Sequence, residues 1–300
     1  MDHDPKRKPP STVLVTGAGS GLGLESALFL SRKGFAVWGS VLNSMEGAAL
    51  RDEAQRRQVP VRVLQMDITK QVEIDAAVRM VLEEAGRIDA LVHFAGVVLL
   101  GFFEDLTLEE VRRVHDVNIF GAMATTQAVL PHMRAAGAGR IVMISSVLGR
   151  IGAPGSAAYT SSKFALEGFM ECLALEMAPF GIHVSLLAPG LVQTPIFGVN
   201  RMRAKRATAP DSPYFGWLRQ QEEYIDGLLR RNVLIPADVA KTTYKILASA
   251  RPRLRYVVGT QAKLILSLRR HLPGGLFDRL RSSLIGRLFT ASRHPPKSLP

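Results

Sequence analysis

Through the first two-thirds of the chain, short apolar runs rich in β-branched residues alternate with longer stretches whose apolar positions recur at helical spacing. The runs fall at residues 12–16, 36–40, 61–66, 90–93, 140–145 and 183–188, and predict strands. The intervening segments 22–33, 45–57, 71–85, 107–135 and 157–179 predict helices. Strands that are apolar almost throughout, separated by helices, indicate a parallel sheet covered on both faces. With a last strand at 255–259, this predicts an α/β fold: one doubly wound parallel sheet of about seven strands, with ligands taken at the strands' carboxyl ends.

The pattern weakens after Thr194. Residues 196–235 carry Gly198, Pro210, Pro213 and Gly216 among several aromatics, and read as a lid of short helices. A helix follows over 236–250, with Pro236 at its first position and Asp238 in its first turn. Residues 262–293 hold amphipathic segments broken by Pro273-Gly274-Gly275, and 294–300 read as disordered. The organisation is a polar tail over 1–10, one domain over 11–260 and an extension over 261–300.

Composition narrows the classes. The 300 residues are 47% hydrophobic, enough for one large core. A single cysteine, Cys172, allows no intrachain disulfide, and the polar opening residues carry no apolar signal segment, so a cytoplasmic location is expected. No run reaches the ~20 apolar residues of a membrane span. The net charge of +12 is uneven: residues 1–200 hold 18 Lys and Arg against 20 Asp and Glu, residues 201–300 hold 20 against 6. The excess charge suits an anionic surface or a solvated basic face. No recognition motif for nucleic acid accompanies it, and no metal-ligand cluster is visible.

Two features carry chemistry. Tyr159 and Lys163 stand four apart in a predicted helix, on one face. A nearby ammonium favours the phenolate, which suits proton transfer to or from an alcohol or carbonyl oxygen. In Thr16-Gly17-Ala18-Gly19-Ser20-Gly21-Leu22-Gly23, glycines join the first strand to the first helix. Such a turn lets backbone approach a pyrophosphate, with the helix N-terminus aimed at it.

Here the chain resembles the short-chain dehydrogenases/reductases. Their TGxxxGxG loop is matched by Thr16 through Gly23 and their YxxxK by Tyr159 and Lys163. Ser146 stands thirteen residues before the tyrosine, as the family's serine does, and is preferred over the adjacent Ser145 on that spacing. Val117-Asn118-Ile119-Phe120-Gly121 matches the family's VNxxG. The resemblance implies a Rossmann-type fold, hydride exchange with NAD or NADP, and a catalytic tetrad of Asn118, Ser146, Tyr159 and Lys163. Tyr159 is the implied acid–base, Lys163 lowers its pKa, Ser146 binds the substrate oxygen, and Asn118 holds a water relaying protons from Lys163. It also implies cofactor contacts at Gly17, Ser20, Gly21, Leu22, Gly23, Val41, Asp67, Ile68, Ala95, Gly96, Tyr159, Lys163, Pro189, Gly190, Val192 and Thr194. A homodimer or homotetramer is implied as well.

The sequence departs from the family at His93-Phe94-Ala95-Gly96, where Asn-Asn-Ala-Gly is usual. His93 reads as a core or sheet-end residue. The second strand ends in Gly39-Ser40-Val41-Leu42-Asn43, with neither the acid that favours NAD nor the Arg that favours NADP; the missing Arg tilts the expectation to NAD. The same stretch, with 250–259 and 268–280, resembles the retinol and hydroxysteroid dehydrogenase branch, implying a hydrophobic steroid- or retinoid-like alcohol or ketone. A biosynthetic NADP-dependent ketoreductase and a non-catalytic nucleotide-binding scaffold are the alternatives. Phe197, Tyr214, Phe215, Trp217 and Leu218 are candidates to line the substrate pocket. Leucines and arginines alternate in the extension. They fit a peripheral membrane helix over 261–293, a partner-subunit contact, or a cover for the pocket mouth.

Overall fold

The computed structural model describes residues 11–198, 200–231 and 234–289. The expectations for 1–10 and 294–300 lie outside them. Seven strands form one parallel sheet: β1 (Thr12–Thr16), β2 (Ala36–Val41), β3 (Val61–Gln65), β4 (Ala90–His93), β6 (Gly139–Ile144), β7 (Ile182–Pro189) and β9 (Arg255–Val258). Their order is β3-β2-β1-β4-β6-β7-β9. The reversal between β1 and β4 creates the crevice in which doubly wound sheets bind ligands. Two short strands, β5 (Leu99–Leu100) and β8 (Met202–Arg203), pair separately, and the sequence pattern does not foreshadow them.

Helices α1 (Gly21–Arg32), α2 (Ser44–Arg56) and α3 (Gln71–Ala85) separate the first strands. α2 starts where the Asn43 side chain accepts the Glu46 N–H (3.0 Å), and α3 ends at left-handed Gly86. The segment expected as one helix over 107–135 is three pieces: α4 (Leu108–His115), a π-helical turn at Asp116–Gly121, and α5 (Ala122–Ala135). A π turn inserts one extra residue and re-aims the side chains around it; here it carries Asn118. α6 (Ala157–Met177) brings in Tyr159 and Lys163.

Side chains alternate across the sheet. Leu14, Leu91, Ile141 and Leu186 face one core, shared with α3, α5 and α6. Val13, Val92, Val142 and Leu187 face the other, shared with α1, α2 and α8 (Pro236–Ala248).

The region after β7 departs most from expectation. Residues 196–235 hold the expected short helical turns, at Pro195–Phe197 and Arg206–Thr208, and also a sixteen-residue helix, α7 (Phe215–Arg230). Arg201 pairs with Asp226 and Arg203 with Glu222 at 2.6 Å, tying the segment before the helix to its face. Gly216 and Gly227 within it, and the lack of a side-chain N-cap, explain why the periodicity reads weakly. The extension forms α9 (Thr260–His271) and α10 (Gly274–Phe289).

Candidate active site

Two cavities open over the carboxyl ends of the central strands. The larger, about 820 Å³, is lined by Gly17, Ser20, Gly21, Leu22, Gly23, Val41, Asp67, Ile68, Ala95, Gly96 and Thr194. The other, about 570 Å³, is lined by Ser146, Tyr159, Lys163, Pro189, Gly190 and Val192 together with apolar walls. The cofactor residues expected from the sequence are therefore divided between the two. Leu22, Phe94, Gly96, Val98, Thr194 and Ile196 line both, so the cavities meet there.

The first cavity has the shape and polarity of a dinucleotide cradle. Gly17 is left-handed (φ 66°), and a Cβ there would lie 2.7 Å from the Ala95 nitrogen. A Cβ at Gly23 would lie 2.0 Å from the Gly17 carbonyl oxygen. Only glycine permits this closeness of turn and strand. Ser20 makes no side-chain cap and the first turn of α1 holds no acid, which leaves the helix N-terminus open to an anion. Asp67 lies at the wall, its Oδ1 accepting the Thr69 N–H (2.9 Å) and hydroxyl (2.7 Å). Although burial works against its charge, these bonds and Lys70 hold its carboxyl below the usual range.

Sequence reasoning missed one residue of this cradle. Glu46, in the first turn of α2, accepts the Leu42 N–H (2.9 Å) and lies over the phosphate loop, 2.7 Å from where a Cβ of Gly19 would stand. No acid ends β2, but α2 supplies one at the same place. The signal was Asn43, whose cap starts the helix that carries Glu46 inward.

Around Tyr159 the tetrad residues assemble. Ser146 hydrogen-bonds the Tyr159 phenol and accepts the Leu148 N–H (3.1 Å). Ser145 donates to buried Glu167 (2.8 Å), so it is committed elsewhere. Lys163 is buried, donates to the Ile144 carbonyl (2.9 Å) and lies 5.7 Å from the Tyr159 ring centre. Enclosure pushes the phenol up to about 12, the Ser146 hydrogen bond working the other way. Burial brings the lysine down to about 8. The expected lowering of the tyrosine by Lys163 does not appear: burial sets the direction and Ser146 alone opposes it.

Asn118 is buried, with three hydrogen bonds to its amide. Its Oδ1 accepts the Val97 N–H (2.8 Å), and its Nδ2 donates to the Val97 carbonyl (2.9 Å) and the Ser162 hydroxyl (3.0 Å). Ser162 donates in turn to the Tyr159 carbonyl (2.7 Å). The side chain clamps the loop after β4 to α6.

The aromatic lining expected from 197–218 is corrected in part. Phe197 lines the cavity. Tyr214 stacks on Phe102 (5.1 Å) with Trp217 alongside (5.7 Å), and Leu218 packs with Leu100 and Ala207. The first turn of α7 is spent on this packing, and its later turns supply Gln220, Gln221, Tyr224, Ile225 and Leu228 to the cavity instead. Ile265 of α9 and Arg281, Leu284 and Ile285 of α10 complete the wall, so the extension covers the pocket, one of the three arrangements its pattern allowed.

The short chain dehydrogenase family model matches residues 11–204. The chain belongs to the short-chain dehydrogenase family. It is 34% identical to the 3-ketodihydrosphingosine reductase of Bacteroides thetaiotaomicron, over 86% of this chain and 91% of that protein. It is 34% identical to retinol dehydrogenase 8 of Bos taurus, over 93% and 91%. A solved short-chain dehydrogenase from Streptomyces avermitilis superposes with a TM-score of 0.76 at 30% identity, covering 93% of this chain and 96% of that one. The chain is accordingly an oxidoreductase of CH–OH donors with a nicotinamide cofactor, of the branch that contains retinol dehydrogenase.

His93 sits behind this site, 2% exposed. Thr16 Oγ1 accepts the Ala95 N–H (3.2 Å) and shares a hydrogen bond with His93 Nδ1 (3.0 Å), while Nε2 has no partner. Burial pushes the imidazole down to about 3, with the Lys163 charge acting in the same direction. Between pH 6.5 and 3 the unfolded chain binds a proton that the folded chain refuses, so stability falls as pH falls through that window. Comparing denaturant midpoints of wild type and His93→Asn across it should show wild type losing about 1.4 kcal/mol per pH unit more than the variant; parallel profiles would mean that the ring accepts a proton in place.

Proposed function

We propose that the chain is an NAD-dependent dehydrogenase or reductase of a lipophilic alcohol or ketone, with Tyr159 as its acid–base. The observation that carries this reading is that Tyr159, Ser146 and Lys163 line a mostly apolar cavity that meets the dinucleotide cradle. The bound nicotinamide supplies or accepts the hydride. Tyr159 gives its proton to the carbonyl oxygen in reduction and takes it from the hydroxyl in oxidation. Ser146 donates a hydrogen bond to the same oxygen, where negative charge develops. Lys163 holds a positive charge beside the phenolate that forms, and in that low-polarity setting its charge acts strongly. Asn118 positions the loop after β4 through Val97. A cavity of this volume, lined by Leu148, Ile151, Ile196 and Ile225 among others, suits a steroid- or retinoid-sized molecule. Replacing Tyr159 with Phe should lower turnover by about 10²–10⁴-fold while dinucleotide affinity stays near wild type; retained turnover would remove Tyr159 from the role.

The preference for NAD rests on charge. Among the described residues, Glu46, Asp67 and Asp116 line the cradle against a single cation, Arg113. Three carboxylates to one guanidinium disfavour a further phosphate, and Glu46 is suited to accept from a ribose hydroxyl. Glu46→Arg should raise kcat/KM with NADP and lower it with NAD, shifting their ratio at least about 10-fold. A wild-type protein already faster with NADP would overturn the choice.

The extension supports contact with a lipid surface from a cytoplasmic location. Leu264, Leu268, Leu276, Leu280 and Leu284 are each more than two-fifths exposed, at four-residue spacings within α9 and α10, beside Arg269, Arg270 and Arg279. No helix among the described residues is long and apolar enough to cross a membrane. Co-sedimentation with anionic vesicles should fall sharply in a variant with Leu264, Leu268, Leu276 and Leu280 changed to Glu. Unchanged co-sedimentation would leave the leucines to a subunit contact in a homodimer or homotetramer.

A further inference from the structure

Among the described residues, the apolar cavity carries two charged side chains in its wall and no carboxylate. One is Lys163, beside the acid–base tyrosine. The other is Arg281, which α10 brings in from the extension. Arg281 is anchored by its Nη1, which donates to the Gly152 carbonyl (3.2 Å). Among the described residues its one acidic neighbour is Asp278 on the same helix, 3.9 Å from Nη2 with a side chain 62% exposed, a weak partner in that setting. Its Nε is buried without any partner, and a buried donor left unpaired is costly. Gln221, the neighbouring polar group, does not answer it. The Gln221 Nε2 donates to the Pro154 carbonyl (2.7 Å), and its Oε1 is turned onto Gly155, 2.0 Å from where a Cβ would stand.

We infer that Arg281 is an anion subsite of the substrate cavity, and that the preferred substrate is an elongated lipophilic alcohol or ketone bearing a second, anionic oxygen group. A carboxylate on such a molecule accepts from the guanidinium N–H groups that Gly152 and Asp278 leave spare, in a charge-assisted bond, while its chain lies along Leu148, Ile151 and Ile265 and its hydroxyl reaches Tyr159 and Ser146. A long-chain amine would instead bring a third cation into a wall that holds no acid. The inference rests on the cavity's role as the substrate site proposed above.

The test measures dissociation constants by isothermal titration on the full chain with NAD bound, for ω-hydroxydodecanoic acid and its methyl ester, with turnover of both followed in parallel. The acid is expected to bind about 10-fold or more tightly than the ester. In Arg281→Gln the two should bind alike, with the ester's affinity unchanged, and Arg281→Lys should keep part of the difference. Equal affinities in wild type, undetectable binding of the acid, or a Gln variant that weakens both ligands alike would overturn the subsite. Arginine-dependent acid binding without turnover of either compound would sustain the subsite and count against the catalytic reading; turnover of both with no preference would do the reverse.

Discussion

A buried lysine governs this site. Lys163 is 3% exposed and has one hydrogen bond, to the main-chain carbonyl of Ile144 at the end of β6. No carboxylate compensates it in the cavity wall. An ammonium so placed is costly, and its descent to about 8 expresses that cost. What the fold gains is a positive charge held within reach of a phenol in a medium that scarcely screens it. The same enclosure raises Tyr159 to about 12, so the pair is poised in opposite senses: the acid keeps its proton and the cation tends to lose one. Charge arriving on the phenol relieves both. The surrounding structure keeps this pair in place, through Ser146 on the phenol and through Asn118 and Ser162 on the backbone around it.

Enclosure depends on elements far apart in sequence. The glycine turn after β1, the loop after β4 and Thr194 after β7 meet where the two cavities join, and α7, α9 and α10 close the apolar side. A second buried charge cluster supports this closure from behind. Glu167, one turn beyond Lys163, accepts from Ser145 (2.8 Å), Arg150 (3.3 Å) and Arg255 (3.0 Å), linking β6, α6 and β9. A Cβ at Gly149 would lie 2.7 Å from the Ser145 hydroxyl, so that turn has room for glycine alone.

The sheet was legible because its strands are apolar throughout and its turns are marked by glycines, as at Thr16–Gly23. The pair Tyr159 and Lys163 was legible through spacing, while Ser146 and Asn118 were read from the resemblance to the family, whose serine interval and VNxxG they match. What spacing does not carry is the partner each polar atom chooses. Asn118 spends its amide on Val97 because the π turn aims it at the β4 loop. Glu46 reaches the cradle because the Asn43 cap fixes where α2 begins. In α7 two glycines blur the pattern, and which of its turns faces the cavity is decided by the Phe102–Tyr214 stack, a contact more than a hundred residues apart in the chain.

The central claim is that the meeting of the two cavities lets a bound nicotinamide's hydride reach a carbonyl carbon in the apolar chamber, where Tyr159 gives its proton to the oxygen. Reduced NAD deuterated at the transferring position of its nicotinamide, incubated with the protein and a lipophilic ketone, tests this most directly. Mass spectrometry of the recovered alcohol should find one deuterium, on the carbinol carbon. Alcohol formed without the label, or label retained entirely on the cofactor across a panel of such ketones, would contradict it.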